Sequence, residues 1–188
     1  MRRVVVSEFV SIDGVMEDPG GGEKTAHGGW SFRFWSDEAA QYKHDELFAS
    51  DALLLGRKTY QGFADAWPSR TDDSGFAARM NAVPKFVVSS TLTKLDWNNS
   101  SLLRPNVAEG VRKLKQQTGQ DILVAGSAQL VQSLLRDSLI DELRLMVHPI
   151  IVGGGKRLFG ELADAKMLKL TDSKAFGSGM VLLTYQLV

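Results

Sequence analysis

Two short apolar runs, each closed by a small residue and followed at once by a helix-spaced pattern, constrain this chain more than any bulk property. Ala52 to Leu55 ends in Gly56 and leads into Arg57 to Ala66, a helical stretch that Trp67-Pro68 closes. Ile122 to Ala125 ends in Gly126-Ser127 and leads into a pattern whose apolar positions, Leu130, Val131, Leu134 and Leu135, share one helical face. A short apolar run bounded by glycine reads as a strand buried on both faces. Strand, turn and helix repeated along a chain build a parallel sheet through crossovers, so the fold class is α/β.

The remaining segments extend that plan. Arg3 to Val10 is apolar and β-branched enough for a first strand, with Asp13-Gly14 as its turn. Ser36 before Asp37 and Glu38 is a helix start, because a hydroxyl cap and an acidic first turn both satisfy the positive helix end; this helix runs to about Ala49. Pro84 to Ser90 is another strand, and Val107, Val111 and Leu114 recur at helical spacing up to a stop at Gly119. After Asp141 the period changes. Leu143, Leu145 and Val147 alternate with other residues, as do Val181, Leu183, Tyr185 and Leu187, which predicts antiparallel strands. The expectation is a mixed, mostly parallel central sheet flanked by helices, with antiparallel C-terminal strands. Pro19 to Gly29, five of whose residues are glycine, has no periodicity and reads as a mobile surface loop that could act as a lid.

Composition removes several function classes. With 188 residues, 44% of them hydrophobic, the chain can bury one core, and no repeat or linker divides it, so residues 1–188 read as a single domain. Lys and Arg together equal Asp and Glu at 22 each, leaving no field that would draw nucleic acid or an anionic membrane. Cysteine is absent, which excludes disulfides, thiolate metal sites and a thiol nucleophile, so redox chemistry would need a cofactor. The N-terminus forms no secretory signal, and no apolar stretch approaches the roughly 18 residues of a membrane helix. A soluble, cytoplasmic protein is the expectation. No metal is expected either, because His27, His44 and His148 lack ligand spacing.

The candidate chemistry lies where strands pass into helices. Gly56, Arg57, Lys58 and Thr59 put a glycine, two cations and a hydroxyl at a helix start, where free backbone N–H groups attract phosphate. Gly126, Ser127, Ala128, Gln129 and Leu130 form a second such turn. Val88-Ser89-Ser90-Thr91 ends a third strand with hydroxyls at the carboxyl edge, where open α/β sheets bind ligands. Each turn alone is equally a capped surface helix or a simple tight turn. Neither Gly20 to Thr25 nor Gly153-Gly154-Gly155-Lys156 fits the phosphate-loop pattern G-x-x-x-x-G-K-[ST].

Three motifs carry a family resemblance across almost the whole chain. Ser11-Ile12-Asp13-Gly14 resembles the S-x-D-G signature of RibD-type reductases, and Gly56-Arg57-Lys58-Thr59 is similar to the G-R-x-T motif of dihydrofolate reductases. His148 to Phe159 resembles the H-P-x-x-x-G-x-G-x-x-L-F segment of RibD-like proteins, the most specific of the three. The resemblance, to the RibD C-terminal branch of the dihydrofolate reductase superfamily, implies that superfamily's fold and an NADPH-dependent reductase. It implies that Arg57, Lys58 and Thr59 bind the cofactor's phosphates, that Ser89 and Ser90 lie near its adenosine, and that Gly126 to Leu130 wrap the pyrophosphate.

The same resemblance implies hydride transfer from the nicotinamide to a small heterocycle, and a homodimer whose interface lies around His148 to Phe159. Asp13 is the candidate catalytic residue, orienting substrate or relaying a proton, with a turn-forming side chain as the other reading. Trp30, Trp35 and Tyr60 are candidate substrate-binding residues, with core packing as the alternative for the tryptophans. The sequence departs from the family in three places, one being that the RibD loop with a phosphate-binding Arg after the second strand is replaced by the G-R-x-T form. Ala40 stands where dihydrofolate reductases carry a first-helix carboxylate, and Ala125-Gly126-Ser127 replaces the Glu-Gly-Gly common in RibD reductases. A pterin reductase and a non-catalytic NADP(H)-binding module therefore stay open beside a RibD-type enzyme.

Overall fold

The computed structural model describes residues 1–161 and 164–188. Eight strands form one sheet: β1 (Val4–Ser11), β2 (Ser50–Gly56), β3 (Lys85–Val88), β4 (Ser100–Leu102), β5 (Asp121–Val124), β6 (Glu142–His148), β7 (Leu168–Ala175) and β8 (Val181–Leu187), in the order β4-β3-β2-β5-β1-β6-β8-β7. The strands from β4 to β6 in that order pair in parallel, and β8 and β7 are added antiparallel. The fold is dihydrofolate reductase-like, as the sequence implies. One detail differs from the expectation: the strand bearing Leu143, Leu145 and Val147 is antiparallel only to β8 and runs parallel to β1, its other neighbour.

Among the described residues, five α-helices cover the sheet: α1 (Asp37–Phe48), α2 (Arg57–Ala66), α3 (Phe76–Ala82), α4 (Val107–Gln116) and α5 (Ala128–Arg136). Successive strand residues point to opposite faces. Val4, Val6 and Val10 of β1, with Leu54 and Val124, therefore meet Val111 and Leu114 of α4 and Leu130, Val131, Leu134 and Leu135 of α5. Val5, Leu53, Leu55, Val87 and Leu123 meet Leu47 of α1, Tyr60 of α2 and Met80 of α3 on the other face. A third cluster joins Ala39 of α1 to Met146, Phe176, Met180 and Leu182 under the C-terminal strands.

The helix starts behave as their sequences direct. The Ser36 hydroxyl accepts from Ala39 N at 3.3 Å and caps α1, and Asn106 caps α4 through Glu109 N at 3.1 Å. By contrast, the residues preceding α2 and α5, Gly56 and Ser127, offer no side-chain cap. Both helices thus keep the free N–H groups of their first turn.

The loop from Pro19 to Gly29 is organised rather than unpacked. Asp18, 4% exposed, accepts from Glu23 N and Thr25 N at 2.9 Å and from Thr25 Oγ1 at 3.0 Å, while its carbonyl accepts from Gly29 N at 2.9 Å. A lone buried carboxylate collects the donors that a glycine-rich segment cannot pair with itself. A 3-10 turn over Trp30–Phe34 then carries the chain to α1.

Candidate active site

The sheet order fixes which turns are neighbours. β2 and β5 are adjacent and parallel, so the turns that leave them lie side by side at the carboxyl edge. Their backbones touch: Gly56 N donates to Gly126 O at 3.1 Å. A Cβ on Gly56 would lie 2.4 Å from Ser127 Oγ, and one on Gly126 would lie 2.7 Å from Thr59 Oγ1. Gly126 also holds φ +95°, in the region that favours glycine, and its peptide to Ser127 is cis. The two helix N-termini therefore abut because both turns lack side chains at the contact. Two sets of free N–H groups and partial positive charges are thereby brought side by side, an arrangement that suits an anion.

Cations flank this cradle. Arg57 is exposed and forms no ion pair among the described residues, whereas Lys58 pairs with Glu23 of the glycine-rich loop at 3.5 Å. Ser89 and Ser90 follow β3, the other neighbour of β2. The Ser89 hydroxyl accepts from Thr91 N at 3.2 Å and Leu92 N at 3.0 Å, and Ser90 is exposed. Ala128 and Leu130 are buried, so only their backbone faces the cradle's N–H set, and Gln129 is exposed.

The motifs at Ser11–Gly14 and His148–Phe159 form one unit on the other side. Ile12 N donates to Ile150 O, Met16 N to Lys156 O and Leu158 N to Gly14 O, at 2.9, 2.9 and 3.1 Å. Asp13 locks this junction: its carboxylate accepts from Ser11 Oγ at 2.6 Å, Val152 N at 3.1 Å and Gly153 N at 2.9 Å. The Ser11 hydroxyl, then those two N–H groups, lower the Asp13 carboxyl to about 2. It stays ionised at neutral pH and is committed to backbone, the arrangement of the turn-forming reading.

Of the aromatic candidates, Trp30 and Tyr60 are core residues. Trp30 is 4% exposed, donates from Nε1 to Glu17 O at 3.0 Å and meets His148 edge-on; the Tyr60 hydroxyl accepts from Trp97 N at 3.1 Å. Only Trp35, 43% exposed and edge-on to Phe9, presents a ring to solvent. His148 is buried among Phe9, Trp30 and Phe34 with Nδ1 on Met146 O at 2.8 Å, and burial lowers its pKa, so it packs as a neutral ring. A hollow of about 270 Å³ lies between His27, Arg33 and Ile150–Val152, and one of about 440 Å³ lies between Ala128, Gln132 and Lys156–Phe159.

Two buried acids escaped the sequence reading. Glu46 of α1 is bonded by Lys43 and by Arg144 at 3.2 Å, and Arg144 reaches Glu142 at 2.6 Å. Burial pushes the Glu46 carboxyl up, but Lys43 and Arg144 outweigh it and hold it below the usual range. Glu8 of β1 is 5% exposed and its Oε1 has no partner; burial, only partly offset by Lys43, raises its carboxyl to about 8. The available signal was an acid at an apolar position, in line with Val6 and Val10. Among the described residues, no three His, Cys, Asp or Glu are grouped to hold a metal, and no helix is long and apolar enough to cross a membrane.

A mostly parallel sheet with two abutting, uncapped helix starts at its carboxyl edge is an α/β arrangement whose chemistry suits an anion. The chain belongs to the family of the RibD C-terminal domain, whose profile matches residues 2–182. It is 29% identical over 187 residues to the uncharacterized protein YyaP of Bacillus subtilis (strain 168), covering 98% of this chain and 94% of YyaP. A candidate riboflavin biosynthesis protein from Shewanella sp. PV-4 superposes with a TM-score of 0.75 at 22% identity, covering 100% of this chain and 99% of that one. A diaminohydroxyphosphoribosylaminopyrimidine deaminase/5-amino-6-(5-phosphoribosylamino)uracil reductase from Thermotoga maritima superposes with a TM-score of 0.68 at 16% identity, over 100% of this chain and 57% of that one.

Proposed function

We propose that this chain is an NADPH-dependent oxidoreductase that reduces a small, flat, pyrimidine- or pterin-like heterocycle, and that it works as a homodimer. The reading rests on one observation above all: the uncapped N-termini of α2 and α5 abut at the strand edge, flanked by Arg57 and Lys58. That donor set fits a pyrophosphate, and a family that includes reductases supplies the class of reaction. N–H groups of Arg57 to Thr59 and of Ala128 to Leu130 hold the pyrophosphate. Arg57 takes the extra phosphate, Lys58 exchanges Glu23 for it, and Ser89 and Ser90 lie toward the adenosine.

The bound nicotinamide supplies a hydride for an electrophilic carbon of the substrate. The protein's own part is to orient the reactants and to exclude water. Trp35 offers its exposed ring to a planar substrate. Asp13 acts through the backbone it grips, setting where Val152 and Gly153 stand beside the substrate.

Losing a charged contact costs about 1.5–3 kcal/mol, and about 1.4 kcal/mol is one decade, so NADPH binds about tenfold or more tighter than NADH. Titration of both nucleotides against tryptophan fluorescence, repeated with Arg57→Ala, tests this. Saturable NADPH binding that weakens in the variant supports the assignment and opens a substrate screen with pterins and ribosylamino-pyrimidines. Absence of saturable binding of either nucleotide refutes it.

A further inference from the structure

Glu8 stands apart from Glu46 because, among the described residues, no cation pairs with it. The last β1–β5 pairing is Val6 with Val124, so Glu8 lies level with Gly126, the residue at which the α5 turn begins. The Gly126 N–H lies near enough to the Glu8 carboxyl to favour its ionised form in part, and Oε1 has no hydrogen-bond partner. From α1, Lys43 and Glu46 reach it through space, but the Lys43 ammonium is bonded to Ser7 Oγ at 2.9 Å and to Glu46. The turn before α5 contributes only the Gly126 N–H. A buried carboxyl with one donor and no counter-ion keeps its proton at neutral pH, and burial accordingly raises it to about 8.

The sheet order assigns a ligand end to this acid. With a pyrophosphate between the starts of α2 and α5, above β2 and β5, the halves of a dinucleotide extend toward β3 on one side and β1 on the other. The β3 side holds Ser89 and Ser90, where the proposed function puts the adenosine. The nicotinamide end would then fall on the β1 side, the strand that carries Glu8.

We propose that Glu8 is a positioning residue for the nicotinamide end, uncharged beneath the reduced ring and ionised beneath the oxidised one, so that its proton selects the redox state held. The inference rests on the nucleotide reading above. The oxidised ring carries a positive charge that the reduced ring lacks, and a carboxylate with little solvent around it attracts that charge. Linkage makes the effect reciprocal: the bound cation promotes loss of the Glu8 proton to solvent, and ionised Glu8 tightens binding of the cation. The reduced ring produces neither effect.

Calorimetric titration with NADP+ and NADPH from pH 5.5 to 9 tests this. The ratio of the NADP+ to the NADPH dissociation constant falls as pH rises toward about 8, the value of Glu8 in the free protein, and is level above it. It falls by about tenfold for each pH unit by which the cation shifts Glu8. At pH 7.5, in Hepes and Tris, NADP+ binding releases a proton and NADPH binding does not. Glu8→Gln keeps both nucleotides and makes the ratio flat; Glu8→Leu serves if the amide does not fold, as an unchanged melting temperature would report. A wild-type ratio independent of pH overturns the inference, and so does a fall that persists in either folded variant. Failure of both nucleotides to bind wild type removes the cofactor assignment itself, a different result from binding at a constant ratio.

Discussion

Glu8 and Glu46 are both buried, yet they respond to burial in opposite directions, and the cations around each decide the sign. Lys43 and Arg144 keep Glu46 ionised, whereas Glu8 has only a backbone N–H and keeps its proton. The consequence for stability follows from proton counting. Between 4.5, its ordinary value, and about 8, the Glu8 carboxyl is ionised in the unfolded chain and protonated in the folded one. The unfolded state then binds fewer protons, so stability falls as pH rises through that window, by at most about 1.4 kcal/mol per pH unit. Asp13 and Glu46 act in the opposite sense and at lower pH, losing their contribution as acid protonates them; for Asp13 the loss runs from 3.8 to about 2. Urea unfolding of wild type and Glu8→Gln between pH 5 and 8 should show a declining stability in the first and a flatter one in the second. Parallel pH profiles would mean that Glu8 is ionised in the folded protein. Asp13 was legible in sequence as a turn residue; Glu8 was not, because its character comes from a burial that only the fold brings about.

At the scale of elements, local chemistry was readable wherever a signal sat next to the element it starts. Ser36 caps α1, and the glycine-bounded apolar runs became β2 and β5 with α2 and α5 behind them. α3 escaped because its anchor is remote: Asp72 accepts from Phe76 N at 2.9 Å and Ala77 N at 2.6 Å from four and five residues upstream, and the helix has only seven residues. β4 is three residues long, too short for any alternation to register. β6 and β8 pair antiparallel as expected, but that β6 also runs parallel to β1 was not legible, because a period of two reports unlike faces, not polarity of pairing. One face of β6 meets the α5-side core through Leu143, and the other carries Arg144 to the Glu46 pair.

The contact between the α2 and α5 turns gives a paired test. Gly126→Ala puts a methyl group against Thr59 Oγ1 at positive φ, costing about 1–3 kcal/mol of backbone strain and forcing the two helix starts apart. It should lower the melting temperature and weaken NADPH binding at least tenfold in calorimetry. Gly62→Ala, inside α2 with open space around the new methyl, should instead stabilise by about 0.5–1 kcal/mol and leave binding unchanged. Equal affinity in the two variants would show that the cradle does not depend on this close approach.

For the molecule as a whole, the surface around the His148–Phe159 segment keeps apolar side chains in water: Ile151 is 74% exposed and Ile12, beside it through the Ile12–Ile150 hydrogen bond, 62%. A homodimer joined there is expected to sediment at twice the mass of one chain at micromolar concentration. Ile151→Asp should return it to one chain with an unchanged melting profile of secondary structure, and a wild-type monomer would dispose of the assignment. The motif at Ser11–Gly14 and the one at His148–Phe159 were both legible, but their union was not, since nothing in either stretch names the other as its partner.

That union dictates when the protein can come into being. β1, made before the other strands of the sheet, sits between β5 and β6 and has no sheet neighbour of its own until residues 121–124 and then 142–148 have been made. Contacts so distant along the chain make loop closure costly and folding slow. An apolar β1 must therefore wait, exposed to aggregation or to a chaperone, until β5 and β6 have been synthesised, and a message truncated before β6 encodes a strand with one of its two places in the sheet unfilled.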